Sequence, residues 1–160
     1  MAHHPLRYLI RETGLRACPA IYRDGQFYLA LLAGFSVLTV SYFFFPVPMD
    51  INGEGAWALC FSLIIWQPFW EELLFRGILQ GQLLKRAWGR GAWLQLSRAN
   101  LLTSLAFAAM HLVYHPVLWA IAVFIPSLVF GYFRERHNCV YSAFVLHALY
   151  NLGYLVLNGI

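Results

Sequence analysis

The chain has 160 residues and a mass of 18.4 kDa, of which 61% are apolar, 18% aromatic and only 11% charged, with mean hydropathy +0.61 and net charge +4. A soluble domain spends about a quarter of its residues on Asp, Glu, Lys and Arg. This composition excludes a disordered chain, a coiled coil and an ordinary cytosolic enzyme, and it places the chain in a lipid bilayer.

Residues 1–26 carry Arg7, Arg11, Arg16 and Arg23 and read as a cytoplasmic or interfacial segment; residues 27–160 form one membrane-embedded domain. No Asp, Glu, Lys or Arg occurs in 27–49, 55–70, 99–133 or 137–160. A helix needs roughly 20 apolar residues to cross the hydrocarbon core, so the first and last runs are one span each. The second is short alone, but Leu73, Leu74, Phe75, Ile78, Leu79, Leu83 and Leu84 extend it to Lys85. The third is too long for one helix and breaks at His115-Pro116, because proline starts a helix but does not continue one. That predicts spans near 99–114 and 116–133. The expected architecture is an all-α integral membrane protein of about five transmembrane helices, with a polar cavity near mid-membrane.

The basic residues test this count. Cytoplasmic flanks collect Lys and Arg. With five crossings, Arg7, Arg11, Arg16 and Arg23, then Lys85, Arg86, Arg90 and Arg98, then Arg134 and Arg136 all fall on one face. The opposite connections hold Asp50, Glu54 and the His115-Pro116 turn. The expected placement is the cell's inner membrane, amino terminus cytoplasmic and carboxyl terminus outside. The positive charge is thereby a membrane-surface and topology signal, with no nucleic-acid partner. Cys18, Cys60 and Cys139 are odd in number and lack CxxC spacing, so free thiols are expected.

Ionisable groups inside apolar helices are costly and usually need a reason. Three clusters stand out: Glu71, Glu72 and Arg76 in the second helix, His111 in the third, and His147 with Asn151 in the fifth. Counted from the nearest basic residue of the inner face, Glu71, His111 and His147 lie at depths of roughly 21, 20 and 17 Å at the helical rise. Residues four apart share a helix face, so Glu72 can pair with Arg76 while Glu71 faces elsewhere, and His147 aligns with Asn151. Pro68 removes one backbone hydrogen bond just upstream. Gly77 and Gly81 form a small-xxx-small face on which another helix can pack.

Several chemistries lack their residues. There is no GxSxG and no HExxH, the two Asp, Asp24 and Asp50, sit in connections, and Cys60 and Cys139 lie near helix ends. A carboxylate with two imidazoles and a carboxamide suits activation of water. A buried Glu takes a proton from water, a facing His holds that water or shuttles the proton, and a second His with an Asn donates to a developing oxyanion. This describes a hydrolase of an acyl bond, with a peptide as the expected substrate, needing no cofactor.

Glu71-Glu72-x-x-x-Arg76, Phe107-x-x-x-His111 and His147-x-x-x-Asn151 resemble, in order and spacing, the three motifs of the CAAX protease and bacteriocin-processing (Abi) family, the glutamic intramembrane endopeptidases. The resemblance covers roughly residues 55–155. It implies Glu71 as general base, His111 as its partner on the attacking water, His147 and Asn151 as the oxyanion site, and Glu72 and Arg76 in support. Trp66-Gln67-Pro68 and Phe124-Ile125-Pro126-Ser127-Leu128 are similar to the short bacterial members linked to carboxyl-terminal sorting signals. The implied partner is a membrane-anchored protein or peptide substrate. Two rivals use the same residues: a zinc metalloprotease liganded by Glu71, His111 and His147, and a non-catalytic peptide-binding or immunity protein. A proton-coupled transporter fits less well, because five short helices without an inverted repeat do not suit alternating access.

Overall fold

The computed structural model describes residues 10, 12–49 and 53–159, apart from the side chains of Pro19 and Ala20; Arg7, Arg11 and Asp50 lie outside the described residues. Helix α1 spans Gly25–Phe44 and starts on Asp24, whose side chain accepts the Gln26 N–H at 3.0 Å. Its outward face carries Leu29, Leu32, Val37 and Val40, all more than half exposed. A stripe of that kind needs lipid against it. The inner face packs on the last helix, where the Tyr150 hydroxyl donates to the Ala30 carbonyl at 2.7 Å.

Helix α2, Ala56–Leu84, is 29 residues long and contains two π-helical stretches, Ser62–Trp66 and Leu73–Gln80. A short antiparallel hairpin, β1 Ala92–Trp93 with β2 Leu96–Ser97, leads into α3, Arg98–His111. The Ser97 hydroxyl caps α3 by accepting from Asn100 N at 2.9 Å. Helix α4 runs over Val117–His137 after Pro116, and α5 over Val140–Asn158. Between them Asn138 takes the left-handed conformation, φ 52°, that ends α4. A core of Ile21, Phe27, Phe130, Phe133, Ala143 and Leu146 ties α1, α4 and α5 together.

Among the described residues, α1, α2, α4 and α5 are long and apolar enough to cross a membrane. The expected 99–114 span is shorter. At 14 residues α3 extends about 21 Å, against roughly 30 Å of hydrocarbon. The chain leaves the helix through turns at 112–115, ahead of Pro116. This short helix also buries polar Asn100, Thr103 and Ser104, and Asn100 and Ser104 bond to neighbouring helices rather than meeting lipid.

The three basic connections meet at one end, as the five-helix count requires. Lys85 pairs with Glu12, Arg16 Nε donates to the Asn138 carbonyl at 2.7 Å, and Arg136 and His137 both bind Asp24. The amino-terminal segment lies on α2: a Cβ at Gly77 would come 3.0 Å from the Thr13 carbonyl, and one at Gly81 3.3 Å from that of Glu12. The small-residue face therefore receives this segment, with Val140 of α5 beside Gly77 and Arg134 of α4 beside Gly81.

The expectation of free thiols is corrected for two of the three cysteines. Cys18 and Cys139 form a disulfide across 121 residues, with Cα atoms 6.1 Å apart, and Cys60 is free. Spacing carried no sign of it because the fold, not the local sequence, docks the first segment against the α4–α5 turn. Denatured without reductant, the protein should take up one alkylating group, and with reductant three, as read by intact mass. Three without reductant would show an open pair.

Hydrogen bonds from Arg136, then from His137 and Gln26, hold the Asp24 carboxyl at about 2, below its usual range. A depressed carboxyl stabilises the fold above its unfolded value, about 3.9, and loses that contribution as pH falls toward the folded value. Acid unfolding should thus steepen between about pH 4 and 2, and Asp24→Asn should remove that component from a thermal-stability series across pH.

Candidate active site

Two breaks in α2 frame the site. In the first π-helical stretch Gln67 N–H bonds back to the Ser62 carbonyl. The next donor in line is Pro68, which has no N–H, so the Leu63 carbonyl has no backbone partner. Asn151 of α5 fills that need, donating Nδ2–H to the Leu63 carbonyl at 2.8 Å. In the second stretch Arg134 Nε–H of α4 donates to the Arg76 carbonyl at 3.2 Å. π-Helical bulges are frequent at functional sites, and here each hands a carbonyl to a side chain of another helix.

Glu71 and Glu72 lie between these breaks, and Arg76 lies within the second. Glu72 and Arg76 are fully buried and paired along the helix, Arg76 Nε to Glu72 Oε2 at 3.2 Å. The rest of the guanidinium is held by Ser104 Oγ of α3 at 3.4 Å and by the Ser127 carbonyl of α4 at 2.8 Å, with the Ser127 hydroxyl also accepting. Ser104 in turn donates to Asn100, whose amide donates to the Leu128 carbonyl. Gly131 makes room for this contact, since a Cβ there would sit 1.9 Å from Asn100 Oδ1. A buried charge is tolerable when paired and fully hydrogen-bonded. Arg76 satisfies that condition by joining α2, α3 and α4.

The other Glu72 oxygen receives His147. Its Nδ1 lies 2.9 Å from Glu72 Oε1, and its Nε2 points toward Glu71 Oε2 at 3.8 Å. Against a carboxylate Nδ1 must carry the proton. The ring is further fixed by stacking on Phe130, centroids 5.0 Å apart at 18°. Glu71 itself is a quarter exposed and its contact to His147 is long at 3.8 Å, so much of its carboxylate stays open.

His111 shares a neighbour with this group. The Phe107 ring lies 4.6 Å from His111 and 6.0 Å from His147, with Arg76 over it at 5.6 Å. His111 Nδ1 is 2.9 Å from the Phe107 carbonyl, so it donates there and leaves Nε2 with its lone pair. The structure thus brings Glu71, Glu72, Arg76 and His147 into direct contact and sets His111 beside them. Asn151 sits one turn from His147, its amide engaged at Leu63.

Ser104 and Asn100 give no signal in the sequence, and Ser127 enters it only as part of the 124–128 stretch. Small polar residues in apolar helices carry no charge, and only the convergence of three helices on Arg76 reveals their part. Among the described residues no three His, Cys, Asp or Glu groups are arranged to hold a metal ion. A groove of about 450 Å³ between α1 and α4, lined by Leu29, Ile125 and Val129 among others, lies away from this cluster and is apolar.

Asn151→Ala should cost about 1 kcal/mol, the net worth of a typical hydrogen bond, here to the part-buried Leu63 carbonyl. It should reduce cleavage less than His147→Ala does. Thermal unfolding and turnover of the two variants check this; an Asn151→Ala protein with parental stability would contradict the bond to Leu63.

The family model described as "Type II CAAX prenyl endopeptidase Rce1-like" matches residues 53–153. The chain belongs to this family. The matched stretch begins just before α2 and ends within α5, so it contains every residue of the cluster. The Rce1-like family is a membrane protease family, and this chain is by membership an integral membrane protein of the peptide-hydrolase class. No curated protein and no solved structure matches the chain.

Proposed function

We propose that this Rce1-like protein is a glutamic intramembrane endopeptidase that cleaves a membrane-associated peptide with a water molecule activated by Glu71. The observation carrying this reading is the relay from Arg76 through Glu72 to His147, which ends with an imidazole Nε2 facing a partly open carboxylate. With Arg76 charged and Glu72 ionised, Glu71 and His147 share one further proton, and the group of four is then neutral.

The chemical steps conform to that balance. Water lies between Glu71 and the lone pair of His111 Nε2. Glu71 accepts its proton as the oxygen attacks the scissile carbonyl. His147, kept protonated at Nδ1 by Glu72, turns its Nε2–H to the developing oxyanion, with the second amide N–H of Asn151 beside it. Glu71 then returns the proton to the leaving amine. No covalent intermediate is needed.

The substrate class that suits the fold is a protein with a hydrophobic carboxyl-terminal tail, of the sorting-signal kind suggested by Trp66-Gln67-Pro68 and by residues 124–128. The basic end is cytoplasmic in this reading, on the weight of Lys and Arg in alternate connections. The Cys18–Cys139 disulfide lies at that same end, where thiol reductants reach it. Co-expression with candidate tailed proteins, read as a size shift after purification in a chelator, tests the activity. A shift in the parent's presence supports it; intact substrate across the set, or cleavage abolished by the chelator and restored by zinc, contradicts it.

A further inference from the structure

The helices around the cluster do not end at the same level. From His147, α5 continues 11 residues to Asn158, about 16 Å, and from Glu71 α2 continues 15 residues back to Ala56, about 22 Å, both away from the basic connections. α3 runs in that direction too, yet it ends at His111, beside the cluster. The wall that α3 supplies on the basic side is therefore missing on the other. In its place stands a turn whose Leu112, Val113 and Tyr114 are 50%, 67% and 85% exposed.

That open side has a defined lining. His111 stacks on His115 at 5.8 Å and 23°, His115 stacks on Trp119 at 5.6 Å and 26°, and Trp119 meets Tyr154 edge-on at 5.5 Å. These rings descend stepwise from α5 and the start of α4 to the imidazole at the cluster. The basic side is closed: Arg76, Gln80, Asn100 and Ser104 are fully buried there, and Gln80 of α2 and Ser97 of β2 both donate to Glu135 of α4.

We infer that the peptide reaches Glu71 from the end opposite the basic connections, through the notch above the short α3, along the ledge of His115, Trp119 and Tyr154. This deepens the proposed proteolysis, on which it rests, and names the side and the surface that the substrate meets. Aromatic rings pair with aromatic and apolar side chains, edge to face included, so the ledge takes the side chains of an extended peptide segment beside the scissile bond. Its length, from Tyr154 to His111, replaces the missing turns of α3 as the wall of the site.

Reagent access tests the route without a substrate. Single cysteines are placed at His115, Tyr154 and Glu71 in a Cys60→Ser background kept oxidised, with Leu102→Cys as a lipid-facing control. Sealed vesicles of each orientation are treated with a membrane-impermeant maleimide. All three should react at least ~10-fold faster when the end opposite the basic connections faces the reagent, and Leu102→Cys should react slowly in both. Glu71→Cys labelled faster from the basic end, or in neither orientation, overturns the route. Such a result leaves the hydrolysis by Glu71 standing or falling on cleavage by Glu71→Gln, a separate measurement.

Discussion

Glu71→Gln should accumulate in the membrane at the parental level and lose cleavage by at least 10²–10⁴-fold, the range a general base supplies. The substitution keeps the side-chain volume and a hydrogen-bonding carbonyl, and it removes the negative charge and with it the capacity to accept a proton from water. Folding should tolerate it because Glu71 is a quarter exposed and its ion pair to His147 Nε2 is long at 3.8 Å. Glu72 is the opposite case, buried and doubly bound. Turnover of a tailed substrate at the parental rate by the Gln variant would transfer the chemistry elsewhere and favour a peptide-binding role.

The second large effect is on stability. Arg76→Ala should lower the unfolding free energy by about 3–5 kcal/mol, the penalty for leaving a buried charge without its partner. Glu72 would retain His147 but lose the guanidinium, and Ser104, the Ser127 carbonyl and the Ser127 hydroxyl would lose their donor. The double change Glu72→Gln with Arg76→Met removes both charges and should recover much of the loss, since a buried pair replaced by well-packed neutral groups is often neutral. It should not recover activity, because His147 then lacks the carboxylate that fixes its Nδ1 proton. Thermal unfolding in detergent, alongside turnover, separates the two effects. A single Arg76→Ala variant as stable as the parent would mean that the three-helix junction does not depend on this residue.

These variants also mark what could be read from sequence and what could not. The Glu72–Arg76 pair was legible because four residues along a helix bring two side chains to one face, and it is present at 3.2 Å. The meeting of Glu72 with His147 was not, since it depends on how α2 and α5 rotate against each other. Asn151 reaches Leu63 only because Pro68 withholds a donor, a consequence visible once the π-helical stretch is seen. The break at Pro116 announced two helices in one charge-free run, but the 14-residue length of α3 is set by the turns at 112–115. Ser104 and Ser127 are ordinary residues until Arg76 arrives between them. Cys18 and Cys139, far apart in sequence, needed the docked amino-terminal segment to meet.

Catalysis in this scheme depends on a single water held between Glu71 and the unprotonated nitrogen of His111, with His147 alongside. The most direct test is an experimental map of the resting enzyme in a lipid nanodisc, at a resolution that shows ordered water. The mechanism predicts density within about 3.2 Å of both a Glu71 carboxylate oxygen and His111 Nε2. Glu71 and His111 turned to lipid, or packed together with no water between them, would contradict it.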